Sequence, residues 1–521
     1  MKELVKRFGK AVKGILTGFD RIVFKGTILP LAHEEGAMSF LRWRGVLTRD
    51  YKDWMRTQTE ALSAAVDRYA REQGAEPIKH LNTWRKDKDE LARQRQQASG
   101  VKSGLIGVWS CLESGATYHA RYSAEKGYPQ LHHERTPCKH LYLYLDHAQY
   151  GWMNVRIQTW FPYHIQIALN GRQWLRRSLE AAQIKFLCQG NKFLHVQDYP
   201  QAQRFLAAQV AGRWPGVLNS FLPIGFPTMV QTLGPNLSYY WTLWQSEWAT
   251  DLVLKSPADL EEPMDRLLRH AMLTGNSTRV LRYLGRPVTA AGKPYGTANP
   301  AVMSRVLDYH EGLRVRHWVD QNSVKVYNEQ NVLRVETTIN APNMFWVHRR
   351  AQGEAPEAPK KLRILRKGVA DIPLRAQVSQ EVNERYMHGL ATFSDQTPIR
   401  QLLEDHLHAR QKQGHRVRPL DITGKDRELL QAISDPRFTV SGITNAALHT
   451  QLRHTSWATG RTDKQLAARI TRAFRLLRDH GVLRKLPHRR RYQLTPKGTQ
   501  LTTALNAVLA ASTAQLMKIA A

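Results

Sequence analysis

Residues 462–498, TDKQLAARITRAFRLLRDHGVLRKLPHRRRYQLTPKG, carry the most specific fold signal in the chain. Thr462 is a favourable helix cap, and Gly481 suits the end of the same helix. Between them the apolar residues recur every three or four positions, at Leu466, Ile470, Phe474 and Leu477. This spacing predicts a helix over residues 464–480 with one buried face. Two apolar runs that predict short strands follow the glycine, at 482–486 and 492–495.

The flanking sequence completes a small domain over residues 419–510. A helix is predicted for 420–433, a second begins near Thr444, and a last one covers 499–509. Two helices, a longer helix and a hairpin form a winged helix, a helix-turn-helix variant that places one helix in the DNA major groove. The stretch RLLRDHGVLRKLPHRRRYQLTPKG, residues 475–498, resembles the winged helix of MarR-like bacterial regulators. That resemblance implies DNA binding by the long helix and the hairpin.

Basic residues are concentrated in this module, with eleven Lys or Arg between residues 461 and 491 against two Asp. The candidates for groove contacts lie in the first half of the long helix: Arg461, Lys464, Gln465, Arg469 and Arg472. Three more lie at the tip of the predicted hairpin, where they could contact the DNA backbone or minor groove: Arg489, Arg490 and Arg491. Winged helices also bind RNA or protein, and both alternatives stay open here.

The whole chain is strongly basic, with 76 Lys and Arg, 44 Asp and Glu and a formal net charge of +32. Because the surplus is spread through segments with folded patterns, nucleic acid is the expected partner. Anionic membranes and simple solubility are the alternatives. No stretch approaches the ~20 apolar residues of a transmembrane helix, and the scattered cysteines suggest neither disulfides nor a zinc site. The sequence therefore predicts a cytoplasmic protein without a membrane partner.

Periodicity and composition predict a multi-domain α+β fold with four regions. These are an N-terminal helical and strand region (1–100), an α+β body (101–348), a basic linker with helices (349–418) and the winged helix (419–510). Two-residue alternation recurs between residues 104 and 198, so the body is predicted to be an antiparallel sheet with helical insertions.

Individual elements follow from the same patterns. An amphipathic helix is predicted at the start, through Leu4, Phe8, Val12 and Leu16. Strands are predicted at 19–26, 105–112, 117–123, 140–146, 152–160, 163–169, 313–318, 323–327 and 332–339. Helices are predicted at 172–182, 256–284, 300–310, 375–391 and 397–413. Residues 239–254 place three tryptophans on one helical face: Trp241, Trp244 and Trp248. Such a face is more typical of a core helix than of a base-stacking platform, which is the alternative.

The segment SVKVYNEQNVLRVETTIN, residues 323–340, with YLGR at 283–286 before it, resembles rolling-circle replication initiators. In that family a tyrosine attacks a DNA phosphate beside bound metal. The resemblance implies Tyr327 as the nucleophile and Glu336 as a metal ligand or acid–base group. Lys325 and Arg334 would line the same sheet, and the metal would be Mg²⁺ or Mn²⁺. A hydrogen-bonded structural ladder has the same residue pattern and is the alternative.

Two further patterns bear on function. Initiators of that family often carry a His-hydrophobe-His metal pair, which the body lacks; its histidines are candidates only by proximity: His132, His133, His140, His147 and His164. In the segment 154–172, alternation places Arg156, Gln158 and Trp160 on one strand face. Such a face is typical of proteins that stack single-stranded bases, but also of an ordinary solvated sheet.

Five acidic residues follow or lie in apolar segments, as in metal-dependent nucleases: Asp20, Asp146, Glu247, Asp251 and Glu336. Their spacing matches no specific signature, and the chain contains no Walker loop or dinucleotide fingerprint. The preferred interpretation is a mobile-element type of protein that binds DNA through its winged helix and nicks or rearranges it.

Two alternatives are a ribonucleoprotein subunit that binds a large structured or guide RNA and a transcription regulator. The spread of positive charge over the whole length favours the first of these over a simple regulator. Motifs such as GFDRIVFKGT and FPYHIQIALNGRQWL also give the whole chain a resemblance to a widespread bacterial protein family. That resemblance implies one recurrent architecture and no particular chemistry.

Overall fold

The computed structural model confirms an α+β fold. It describes residues 1–222, 238–274, 277–285, 302–309, 312–351, 353–355, 357–391, 404, 408–412, 414–435, 438, 442–486 and 490–512. Within this part of the chain, no helix is long and apolar enough to cross a membrane. Eleven strands form one large sheet, and four two-stranded sheets accompany it.

The first half of the large sheet begins with a helix, α1 (Lys2–Phe8), and a long strand, β1 (Val12–Ile28). Helices and one short strand follow: α2 (Glu34–Trp43), α3 (Tyr51–Glu72), β2 (Lys79–His80) and α4 (Lys88–Ser99). Four strands then run as an antiparallel meander: β3 (Gly104–Ser123), β4 (Tyr128–His147), β5 (Gly151–Gln158) and β6 (Ile165–Asn170). The last strand returns to pair with β1, and helix α5 (Gly171–Ala181) follows it.

A small hairpin and two helices separate this half from the next: β7 (Phe186–Gln189), β8 (Lys192–Val196), α6 (Tyr199–Val210) and α7 (Trp214–Ser220). The second half starts with β9 (Tyr239–Leu254), α8 (Ala258–Thr274) and α9 (Ser277–Tyr283). Its meander comprises β10 (Val302–Tyr309), β11 (Gly312–Val319), β12 (Asn322–Glu329) and β13 (Val332–Ile339). Strand β13 returns to pair with β9.

The two halves repeat one arrangement. Each has a long strand, then helices, then a four-stranded meander whose last strand pairs with that long strand. They join because β1 and β9 pair antiparallel along almost their whole length. The sheet order is therefore β10-β11-β12-β13-β9-β1-β6-β5-β4-β3-β2. We call the β1–β9 pairing the seam.

One face of the sheet is apolar, and the other carries rows of polar residues beside smaller apolar clusters that pack against α4, α5 and α6. In the first half Phe24, Val155 and Ile157 belong to a core with residues of α2 and α3. In the second half Val326 and Val335 pack with α10 (Ile372–Leu390), which follows two short paired strands, β14 (Trp346–Arg349) and β15 (Lys361–Ile364). Strand pairing aligns the intervening residues in rows on the other face, the polar face.

Several sequence-based element assignments are wrong. Residues 239–254 form a strand, because a strand also buries Trp241 and Trp248 and leaves Trp244 exposed where bulges interrupt the alternation. Residues 302–309 also form a strand, and the first helix ends at Phe8 because Val12 and Leu16 belong to β1. The predicted strands 105–112 and 117–123 are one continuous strand. Most of the predicted helix 397–413 lies outside the described residues, and Arg410–Lys412 is a strand.

The C-terminal residues form a separate small core. After the hairpin β16 (Arg410–Lys412) and β17 (His415–Val417) come α11 (Arg427–Ile433), α12 (Asn445–Leu452), α13 (Asp463–Asp479), β18 (Leu483–Lys485), β19 (Tyr492–Leu494) and α14 (Pro496–Ala510). The predicted apolar face of the long helix is buried with Leu430 and Leu501. Thr462 caps α13 through a reciprocal capping box with Gln465. The order of helices and hairpin therefore agrees with the sequence prediction.

Candidate functional site

Four carboxylates gather where the seam meets β13. Asp20 lies on β1, Glu247 and Asp251 on β9, and Glu336 on β13. Carboxylate oxygens of Asp20, Glu247 and Glu336 lie within 4.8 Å of one another. The sequence singled out all of these residues individually, and the strand order brings them together, because β9 stands between β13 and β1. Asp146, the fifth candidate, instead pairs with Arg177 at 2.7 Å.

Arg334 holds two of these carboxylates. Its Nε and Nη2 donate to the two oxygens of Asp251 at 2.6 and 2.8 Å, and its Nη1 donates to Asp20 at 2.9 Å. Its Nη2 also donates to the Asn191 carbonyl, at 2.7 Å. Burial alone would raise the pKa of Asp20, but Arg334 and Arg172 lower it below its ordinary value. Arg334 is only 1% exposed, and its guanidinium is directed at these buried carboxylates.

Tyr327 and Glu336, the predicted catalytic pair, are in direct contact. The Tyr327 hydroxyl donates to Glu336 Oε2 at 3.1 Å, and Lys325 Nζ lies 2.6 Å from Glu336 Oε1. Burial, and then the charge of Glu336, raise the pKa of Tyr327 well above its ordinary value. The phenol therefore keeps its proton unless a base removes it, and Glu336 is the base within hydrogen-bonding distance.

Among the four carboxylates, Glu247 is the one without a Lys or Arg ion-pair partner in the described part of the chain. Three cations, Lys325, Arg172 and Arg334, neutralise the other three carboxylates, and Glu247 forms no ion pair within the described residues. Burial, followed by the negative charge of Glu336, raises the pKa of Glu247 to about 7. Near neutral pH this group can therefore hold or release a proton. Three carboxylates are also a suitable ligand set for Mg²⁺ or Mn²⁺, which prefer oxygen donors.

Arg172 belongs to this cluster, although the sequence interpretation placed it only at a helix start. Asn170 caps α5 by accepting from the Arg172 and Gln173 amides, which directs the Arg172 side chain inward. Its Nη2 donates to the Ala249 carbonyl at 3.0 Å and lies 3.3 Å from Asp251. The signal in the sequence was an arginine directly after a strand end and an Asn-Gly cap, which is weak without knowledge of the strand order.

The polar face of the first half carries a second network around Glu113. Arg156 Nη2 donates to Glu113 at 2.6 Å, and its Nη1 donates to Gln166 at 3.3 Å. Gln158 is buried, and Trp160 lies beyond the end of β5. The Trp160 indole donates to the Tyr118 carbonyl at 3.3 Å and packs edge-on against Tyr51. Trp160 is thus a half-buried packing residue, while Arg156 keeps its place on the polar face.

The long C-terminal helix α13 presents one exposed basic stripe. Arg461, Lys464, Gln465 and Arg472 are exposed on the side opposite the buried core. The Gln465 side-chain oxygen accepts from the Thr462 amide at 3.0 Å, so part of this side chain serves the cap. Arg469 is half-buried; its guanidinium lies 3.9 Å from the centre of the Trp457 ring and donates to the Trp457 carbonyl.

The hairpin after α13 is described in part. Arg490 is exposed and Arg491 is half-buried, whereas Arg489 lies outside the described residues. Tyr492 stacks on Phe474, with ring centroids 4.2 Å apart, and so fixes the hairpin against the helix. Basic residues of the helix stripe and of the hairpin therefore belong to one packed unit.

The histidine candidates do not form a metal site with other described residues, where the three-carboxylate group is the one found. Burial lowers the pKa of His140 to about 4 and that of His164 to about 3, which is typical of neutral packed imidazoles. Sequence reasoning also missed a His-hydrophobe-His triplet beyond the body, His406-Leu407-His408. Its first two residues lie outside the described part of the chain.

The chain was also compared with known proteins. No family model, no curated protein and no solved structure matches it. The resemblances to MarR-like regulators, to rolling-circle initiators and to a widespread bacterial family therefore stay predictions from sequence, and functional argument must rest on the residues themselves.

Proposed function

We propose that this chain is a DNA-binding protein of the mobile-element type and that residues 419–510 act as its winged helix. The exposed basic stripe formed by Lys464 and Arg472 of α13, with Arg461 just before the helix, is the observation that carries this proposal. The opposite side of the same helix is buried, so the stripe is the surface that α13 can offer to a partner. A helix with this charge fits the major groove, where lysine and arginine meet phosphates and base edges.

A paired measurement tests the DNA-binding proposal. In full-length protein, the double variant Lys464→Ala, Arg472→Ala should weaken duplex DNA binding at least ~10-fold and reduce the salt dependence by about two phosphate contacts. Arg490→Ala, Arg491→Ala should act in the same direction. The matched control is Lys52→Ala, Arg68→Ala on the exposed side of α3. Equal loss in the control would indicate general electrostatics, and no loss in either would contradict the winged-helix assignment.

The ribonucleoprotein alternative is supported by the charge of the whole chain. The same titrations with a duplex RNA distinguish the two ligands, because a helix that reads the DNA major groove cannot enter the deep, narrow groove of A-form RNA. Tighter binding of RNA that is insensitive to Lys464→Ala, Arg472→Ala would favour the RNA-bound function. Nucleic acid that co-purifies with the protein should be sequenced after nuclease treatment as an independent check.

We also propose phosphodiester cleavage at the carboxylate cluster, as a second candidate function. The supporting observation is the acid–base pair: Glu336 accepts a hydrogen bond from the Tyr327 hydroxyl, and Glu247, with a pKa raised to about 7, can carry a proton near neutral pH. Tyr327 would attack phosphorus as its proton passes to Glu336; the P–O bond to the leaving strand would break, and Glu247 would protonate that oxygen. In a metal-dependent version of the step, Asp20, Glu247 and Glu336 would instead hold a divalent cation that polarises the phosphate, and water would accept the Tyr327 proton and protonate the leaving oxygen.

The cluster is mostly buried: the Asp20 and Lys325 side chains are 11% and 12% exposed, and Glu247 is half-buried. A phosphate would have to contact the cluster at these side chains. The test is nicking of supercoiled DNA with Mg²⁺ or Mn²⁺ and detection of a protein–DNA adduct. Tyr327→Phe should abolish both while duplex binding remains. Cleavage that survives Tyr327→Phe but not Glu336→Gln would replace the tyrosine with water as nucleophile.

A further inference from the structure

Trp244 is the exposed member of the tryptophan series on β9. Its side chain is 41% exposed on the polar face, whereas Trp241 and Trp248 are buried. A bulge between Val23 and Phe24 in the β1–β9 pairing turns it outward. The backbone nearby is fixed, because the Leu243 amide donates to the Lys367 carbonyl at 2.7 Å. An exposed aromatic ring on a fixed strand is therefore present at the seam.

Two lysines flank this ring. Lys367 Nζ lies 4.5 Å and Lys25 Nζ lies 5.2 Å from its centre. Lys25 comes from β1, while Lys367 comes from the segment between β15 and α10. The two ammonium groups thus converge on one indole from distant parts of the chain, a geometry that orients them by cation–π attraction.

Positive charge is concentrated around the two lysines, although Arg156 in this group is paired with Glu113. Neither lysine forms an ion pair within the described residues. Burial first, and then the charges of Lys367, Arg156 and Arg135, lower the pKa of Lys25. Since like charges repel, gathering them in one place costs folding free energy that a bound anion would offset. The site therefore has the charge to attract a phosphate.

We propose that Trp244, Lys25 and Lys367 form a binding site for single-stranded nucleic acid. One unpaired base stacks on Trp244, and the neighbouring phosphates contact the two lysines. A base inside a duplex does not expose its ring face, so the exposed indole favours an unpaired strand over a duplex. The inference rests on the proposed nucleic-acid function and adds to it a ligand class and a second surface, separate from α13.

The polar face also contains the strand whose sequence suggested either a base-stacking face or an ordinary solvated one, through Arg156, Gln158 and Trp160. The structure retains Arg156 on the polar face but uses Trp160 for packing. Trp244 supplies an exposed aromatic ring on the same face, and exposed Tyr240 stands four residues before it on β9. Single-strand binding sites combine such rings with cations.

The test uses full-length protein and two fluorescent oligonucleotides, a dodecamer of thymidine and one of uridine. Trp244→Ala should weaken binding of the single strand by about 10-fold to 100-fold, as expected for loss of a stacked base. Trp244→Phe retains an aromatic ring and should keep most of the affinity. Trp84→Ala is the matched control, because Trp84 is 60% exposed with Arg85 beside it, and it should bind as wild type. Preference between the two oligonucleotides tells DNA from RNA.

Lysine variants and duplex controls complete the experiment. Lys25→Ala, Lys367→Ala should reduce the single-strand salt slope by about 1.4, since each phosphate contributes roughly 0.7. Duplex binding should be unchanged in Trp244→Ala and lost in Lys464→Ala, Arg472→Ala, so failures of the two proposals are distinguishable. Single-strand affinity that is unchanged in Trp244→Ala overturns the site. Equal loss of single-strand and duplex binding in that variant overturns its specificity for unpaired strands.

Discussion

The two halves of the sheet share one strand arrangement but treat their charged residues in opposite ways. Around Glu113 in the first half, Lys88, Tyr142 and Arg156 form a network at the edge of solvent, where the Arg156 side chain is 26% exposed. At the seam, the Arg334 and Asp251 side chains are 1% and 0% exposed. The same backbone plan therefore supports a network with a partly exposed arginine in one half and an ionic cluster with a buried arginine at the seam. Strand topology alone does not determine a site.

The largest difference between the halves should appear when the central arginine of each is removed. Arg334→Met leaves Asp20 and Asp251 buried without their main partner and should cost about 3–5 kcal/mol in the free energy of unfolding. Arg156→Met breaks a partly solvated pair and should cost about 1 kcal/mol or less. Denaturant unfolding monitored by tryptophan fluorescence provides both values. Equal costs would show that burial does not make the Arg334 contacts more important for stability than those of Arg156.

Glu247 should give the seam an unusual pH dependence. Its pKa is raised from 4.5 to about 7 in the folded protein, so the folded state holds the proton more tightly than the unfolded chain. The contribution of Glu247 to the free energy of unfolding is therefore fully present below about pH 4.5 and is lost as the pH rises through 7. Glu247→Gln should remove this loss and stabilise the protein at pH 8 by up to about 3 kcal/mol. Unfolding measured from pH 5 to 8 tests it, and parallel curves for variant and wild type would contradict it.

Glu113 should give protein stability the opposite dependence on pH. Burial raises its pKa, but the Tyr142 hydrogen bond and Arg156 outweigh burial and bring the pKa from 4.5 to about 2. Its stabilisation is thus present above about pH 4.5 and is lost as the pH falls towards 2. Glu113→Gln should destabilise the protein at pH 7 and flatten the acid limb of the stability curve. A variant that retains the full acid limb would assign that limb to other carboxylates.

The parts of the fold that follow from local spacing were predictable. Helix α13, its Thr462 cap and the hairpin behind it need only a three-to-four residue repeat, a cap and a glycine. Strand β9 misled the same reasoning. Its tryptophans are spaced three and four apart, as on a helix, because bulges interrupt the two-residue alternation of the strand. Local periodicity cannot separate these cases when the irregularity comes from the pairing partner.

From the sequence, the members of the carboxylate cluster could be singled out one by one, but their proximity could not be predicted. Asp20, Glu247 and Glu336 were all noted, yet nothing in their spacing predicts that β9 lies between β13 and β1. The contact of Tyr327 with Glu336 was within reach, since they lie on consecutive paired strands. Arg172 and Trp244 required the full tertiary arrangement: a helix that directs one inward and a bulge that turns the other outward.

The seam has a consequence for how the molecule can vary. An antiparallel pairing of corresponding strands has approximate twofold symmetry, so an identical join would be self-complementary in a homodimer of either half alone. In such a dimer every substitution would occur twice, and any site on the axis would be duplicated. Because β1 and β9 belong to one chain, a substitution in one half need not be repeated in the other. Asp20 and Glu247 can face each other across the pseudo-axis as different residues, and each half can acquire its own ligand without altering the other.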